Sequence, residues 1–138
     1  TVNLTERTED GFGQGKVLVS PFGMALAAAT VAAGRTPTPH LIEGRETEIT
    51  GDREPIPAAV VDNLRPMMQL VVTNGTAKDL QGAGDVRGKT GEAEFAGGSH
   101  SWFTGYRGDM AFAVLIVDGG SSGPAVQLAS TFLADAPR

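Results

Sequence analysis

The sequence predicts an α+β fold, an antiparallel sheet backed by helices. Three observations carry this reading. The last third holds three strand-like runs, Asp85–Glu94, Ser101–Arg107 and Ala111–Asp118, separated by short glycine-containing turns. Connections that short join antiparallel neighbours, since a parallel pair needs a long crossover. A strongly apolar helix precedes the strands, and an amphipathic one follows them.

The first helix runs from Pro21 to Ala33. Ser20 supplies a hydroxyl N-cap, Pro21 suits the first helical position and Gly34 suits the left-handed C-terminal position. Only Gly23 and Thr30 interrupt the apolar residues, so this helix needs cover on every side. Before it, Gly13, Gln14 and Gly15 make a close-approaching turn into Lys16–Val19, and the polar run Thr5–Asp10 reads as a loop. Thr36–Pro39 is a proline-punctuated turn, His40–Ile42 a short extended piece, and Glu43–Glu54 a solvated loop or weak hairpin. Val60, Leu64, Met67, Met68, Val71 and Val72 recur at helical spacing and predict a second helix ended by Asn74-Gly75, with a kink or break at Pro66. Met67, Met68 and Met110 read as core filling. Trp102 and Phe103, neighbours on a strand, face opposite sides, so at least one packs against a helix. Ala125–Leu133 is the closing helix, laid across one face of the sheet.

Composition narrows the function classes. The 138 residues are 41% apolar and 20% charged, with a net charge of −5 and scattered lysines and arginines. Binding a phosphate backbone requires a concentrated basic face, so nucleic acid is not an expected partner. There is no cysteine, hence no disulfide and no thiolate metal site. His40 and His100 are the only histidines, far apart and without helical ligand spacing, so no metal is expected. The Pro21–Ala33 run is too short to cross a bilayer and too internal for a signal peptide. Ser99-His100, with Asp109 or Asp118, imitates a nucleophile, base and acid. Adjacent strand side chains diverge, however, which makes a poor hydrogen-bonded pair. Arg107 and Asp109 read as turn-flanking residues.

Three stretches in order carry a family resemblance. The first is Gly13-Gln14-Gly15 followed by Ser20-Pro21-Phe22-Gly23-Met24-Ala25. The second is Val71-Val72, Gly75-Thr76-Ala77, Gly88-Lys89-Thr90-Gly91 and Ala93-Glu94. The third is His100-Ser101-Trp102-Phe103-Thr104-Gly105-Tyr106 with the apolar strand and closing helix behind it. Together, from about Gly11 to Leu133, they resemble the penicillin-binding transpeptidases, the monofunctional type more than the bifunctional. Of that family's three motifs, Ser-x-x-Lys, Ser-x-Asn and Lys-Thr-Gly, only the last is present. The other two are expected before Thr1, so residues 1–138 are expected to form the C-terminal part of one transpeptidase domain and to be inactive alone.

The resemblance implies the serine-transpeptidase fold, with a mainly helical lobe attached to the sheet. It implies that Lys89, Thr90, Gly91 and Glu92 border the active cleft. Lys89 would present a buried ammonium to the serine hydroxyls. Thr90 would offer a hydroxyl to the terminal carboxylate of the substrate, and Gly91 would admit its backbone to the strand edge. The backbone N–H of Glu92 would be one of two oxyanion-hole donors. Glu92 departs from the family, whose members usually carry Thr or Ser there, and an ionised carboxylate repels an anionic substrate end. The implied activity is D,D-transpeptidation of peptidoglycan stem peptides through a serine acyl-enzyme that β-lactams trap, with no cofactor. Alternatives are a D,D-carboxypeptidase or β-lactamase-like hydrolase and a non-catalytic scaffold or sensor homologue. The implied partner is the N-terminal portion of the same protein. The implied place is the extracytoplasmic face of the bacterial plasma membrane, reached through an anchor outside this chain. Alone, the chain would leave the inner edge of Ala111–Val117 unpaired, an aggregation hazard.

Overall fold

A computed structural model describes residues 4–11, 13, 14, 16–50 and 54–137, with side chains from Thr8 onward. Helix α1 covers Leu4–Gly11, α2 Pro21–Ala33 and α3 Ala58–Thr73; a 3-10 helix follows over Lys78–Ala83. Strands β1 (Val86–Phe95), β2 (Gly98–Arg107) and β3 (Met110–Ile116) form one antiparallel sheet in the order β1-β2-β3, and α4 (Gly123–Asp135) closes the chain. The α+β expectation holds.

The termini of α2 are set by their capping residues. Ser20 Oγ accepts the Gly23 N–H at 3.1 Å, Pro21 occupies the first turn, and Gly34 ends the helix at φ 69°. Arg65, from α3, donates to the free carbonyls of Val31 and Ala32 at 3.1 and 2.8 Å. From the sheet, Thr104 Oγ1 donates to Met24 O at 2.9 Å. These contacts lay α2 across β2 and β3 on one face of the sheet. Even so, Phe22 is half exposed, and Leu18 and Val19 before it are exposed.

The core lies on the other face. Phe103, Phe112 and Val86 meet Leu80 of the 3-10 helix, Val72 of α3, and Ala125, Val126, Ala129 and Leu133 of α4. Phe103 belongs to this core while Trp102 faces the opposite side, as strand alternation requires. Ser101 Oγ, fully buried, accepts the Ala125 N–H at 3.0 Å and so caps a donor in the first turn of α4 from the neighbouring strand.

Several expectations are corrected. Thr5–Asp10 lies within α1, where Glu6, Arg7 and Glu9 are good helix formers. Helix α3 is continuous through Pro66. That proline forfeits one backbone donor, and packing along β1, with Val61 and Val72 buried towards its two ends, outweighs the loss. Met67 is not core filling: it is 60% exposed on the outer side of α3. His40–Ile42 is a bend rather than an extended piece, closed by His40 Nδ1 donating to Arg45 O at 2.9 Å. No helix or strand occurs in 36–50 or 54–57, and the rest of the expected Glu43–Glu54 loop lies outside the described residues. Strand β3 stops at Ile116 because the chain turns at Asp118, whose φ is 54°.

Arg107 does more than flank a turn. Its guanidinium donates to four carbonyls, those of Ala83 and Leu133 at 3.1 and 2.8 Å and of Ala136 and Pro137 at 3.0 and 2.8 Å. One side chain therefore joins the end of β2 to the 3-10 helix and to the C-terminal end of α4. Arg107→Met, which keeps the apolar stem and removes the donors, is expected to destabilise the whole protein by about 2–4 kcal/mol in denaturant unfolding.

Candidate active-site groove

Strand β1 is an end strand, paired on one side with β2 and on the other with no strand among the described residues. Its register opposes Lys89 to Thr104, Thr90 to Phe103, Gly91 to Trp102, Glu92 to Ser101 and Ala93 to His100. Alternation puts Lys89, Gly91 and Ala93 on the α2 side with Thr104, Trp102 and His100, and Thr90 and Glu92 on the core side. On the α2 side, these residues and the connection Val17–Val19 line a groove of about 470 Å³.

The position of β1 is set by close packing. A Cβ on Gly88 would lie 2.4 Å from Phe103 Cζ and 2.6 Å from Thr104 O; one on Gly91 would lie 3.1 Å from Trp102 Cβ. Glycine at 88 therefore lets β1 close onto β2 beneath the Phe103 ring. At the head of the strand Arg87 is bound by Asp85 at 3.1 Å, and chiefly that hydrogen bond holds its pKa above the ordinary arginine value.

The four predicted site residues lie together along this edge. Lys89 Nζ donates to Thr90 O at 2.7 Å, and among the described residues Lys89 is exposed rather than buried as expected. Thr90 is buried as a residue, and its hydroxyl is hydrogen-bonded to that of the exposed Thr76 at 2.6 Å. Glu92 is tied at two atoms: its Oε1 accepts from Ser99 Oγ at 2.7 Å and its carbonyl from Gln14 Nε2 at 3.0 Å. Carbonyls two residues apart point to the same side of a strand, so the outward acceptors at 90 and 92 are satisfied by side chains of the chain itself.

Three contributors were missed from sequence. Gln14 was read only as part of a tight turn, whereas its amide crosses to β1; Gly15 of that turn lies outside the described residues. Thr76 and Ser99 become partners of Thr90 and Glu92 only through the fold. For Ser99 the signal was available, since a two-residue Ala96-Gly97 turn places it diagonal to Glu92 on the same face. The imitation triad is not assembled. Ser99 bonds Glu92, while His100 Nδ1 accepts the Asp118 N–H at 3.1 Å and its ring lies 4.7 Å from that of Phe95.

A family model, penicillin binding protein transpeptidase domain, matches residues 4–134, and the chain belongs to this family. Among solved structures it is similar to PBP2 of Pseudomonas aeruginosa, determined in complex with WCK 5153, at TM-score 0.69 and 22% identity over 94% of this chain and 32% of that one. It is also similar to penicillin-binding protein A of M. tuberculosis, determined as an imipenem acyl-enzyme complex, at TM-score 0.68 and 23% identity over 91% of this chain and 33% of that one. The chain thus spans about a third of each of those structures. These likenesses place its sheet and helices in the serine-transpeptidase fold. No curated protein sequence matches.

Gly88→Ala is expected to push β1 from β2 and lower stability by about 1–3 kcal/mol, the usual cost of overpacking, as read by thermal or denaturant unfolding of the whole protein.

Proposed function

We propose that this chain forms the Lys-Thr-Gly side of the active cleft in a penicillin-binding D,D-transpeptidase. The observation that carries the reading is the edge of β1, which presents Lys89, Thr90, Gly91 and Glu92 at a groove and has no strand outside it among the described residues. A peptide can add to such an edge through its main chain. Family membership supports acyl transfer as the chemistry. The attacking serine belongs to the N-terminal portion of the same protein, which carries Ser-x-x-Lys and Ser-x-Asn. Its hydroxyl oxygen attacks the carbonyl of the D-Ala-D-Ala bond, forming an acyl-serine ester and releasing D-Ala, or attacks a β-lactam carbonyl and breaks the ring C–N bond. Lys89 supplies positive potential beside that serine, and the Glu92 N–H supplies one oxyanion donor. The Thr76–Thr90 hydroxyl pair offers the donor for the terminal carboxylate. The whole protein acts in cell-wall synthesis at the extracytoplasmic face of the bacterial plasma membrane, held there by an anchor outside this chain.

The same reading accounts for the apolar surface. Leu18, Val19, Phe22 and Val117 are exposed, and the outer edge of β3 has no strand partner among the described residues. In the whole domain the N-terminal portion covers them. Residues 1–138 expressed alone are expected to aggregate, or to lack the single cooperative unfolding transition that co-expression with the N-terminal portion restores.

Labelling of the full-length protein with a fluorescent penicillin, and mapping of the modified residue, tests the function. One serine in a Ser-x-x-Lys sequence outside this chain is expected to carry the label, and Lys89→Ala is expected to slow acylation by about a hundredfold or more. Absence of labelling, or a label on Ser99, would refute the reading. Glu92→Thr, which restores a hydroxyl and removes a charge, is expected to raise the acylation rate constant several-fold, by about 1 kcal/mol.

A further inference from the structure

Glu92 sits one alternate position along β1 from Thr90, about 7 Å away and on the same face. A glutamate side chain can span much of that distance. Left free, its carboxylate could lean towards the Thr76–Thr90 hydroxyl pair, accept from it, and repel any anion bound there. The structure turns it the other way. Directly across the ladder from Glu92 stands Ser101, fully buried and turned to the first turn of α4, where its Oγ accepts the Ala125 N–H. The carboxylate takes its proton donor from Ser99 instead, at 2.7 Å. Ser99 pairs with Glu94 in the register, so it lies one step nearer the hairpin turn and farther from Thr90, which pairs with Phe103. Ser99 is itself only 4% exposed, and its carbonyl is held by Gly120 N–H at 3.1 Å, so the donor is fixed in place.

Resting on the transpeptidase reading, we infer that Ser99 is a positioning residue for substrate recognition. By donating to Glu92 it draws that carboxylate away from Thr90, leaving the hydroxyl pair open to the carboxylate end of a peptide or β-lactam. Ser99 touches no reacting atom; it acts through Glu92. A glutamate is thereby tolerated at a position where a negative charge otherwise opposes an anionic ligand.

The test compares acylation of the full-length protein by benzylpenicillin and by its methyl ester, which lacks the negative charge. Ser99→Ala is expected to lower the acid-to-ester ratio of acylation rate constants by roughly three- to tenfold, the effect of one like charge about 7 Å away in a half-solvated site. Ser99→Thr, which keeps the hydroxyl, is expected to retain the wild-type ratio. In a Glu92→Gln background, Ser99→Ala is expected to leave the ratio unmoved. A merely structural serine would change both ligands alike and would do so whatever stands at 92. Equal loss for acid and ester, or equal loss in the Glu92→Gln background, overturns the inference. If Ser99→Ala does not fold, Ser99→Cys, with its weaker S–H donor, carries the same comparison. A wild-type protein that no penicillin labels removes the parent reading together with this one. That result differs from a labelled protein whose ratio ignores Ser99.

Discussion

The approach of β1 to β2 at Gly88 is the constraint from which the groove follows. Gly88 faces Gly105 across the ladder, and the Phe103 ring lies against both. With no Cβ at either position the strands close, the ring completes the core on one side, and the next residues of β1 fall into a single register. That register places Lys89 and Gly91 over Thr104 and Trp102, and Thr90 and Glu92 over Phe103 and Ser101. A slip by one residue would exchange the faces and put the lysine into the core. The placement of the Lys-Thr-Gly residues is thus a product of hydrophobic packing behind the strand, not of polar contacts at the groove.

Around that register the polar side chains divide between holding elements and shaping the edge. Ser101 caps α4 from the sheet, and Arg107 gathers four carbonyls, one from the 3-10 helix and three from the end of α4 and the residues just after it. Neither takes part in the groove. Gln14, Thr76 and Ser99 instead each engage a residue between 90 and 92. On the outer edge of β1, the Lys89 and Gln14 side chains donate to the carbonyls at 90 and 92.

How much of this was legible beforehand depends on the range of the forces involved. Helix α2 was placed to the residue because Ser20, Pro21 and Gly34 are local signals whose chemistry acts within one turn. The three strands were found within a few residues, since alternation and glycine turns are also local. Helix α1 was missed because it is short and polar, with no apolar stripe to read. The 3-10 helix over Lys78–Ala83 carries too few residues for a period, and it is ordered by burial of Leu80. At the groove, Lys89 to Glu92 could be named through their motif and flanks. Their partners could not, since Gln14 stands 78 residues from Glu92 in the chain and only the assembled sheet brings them together.

Helix α2 is pinned to the sheet by Thr104 at the Met24 carbonyl, and to α3 by Arg65 at the Val31 and Ala32 carbonyls. A rod fastened at two separated points can neither slide nor roll without breaking one of them. The groove therefore has one stiff wall. If the groove takes an acyl group as proposed, room for a bulkier one comes from the irregular, exposed Val17–Val19 connection rather than from the helix it leads into.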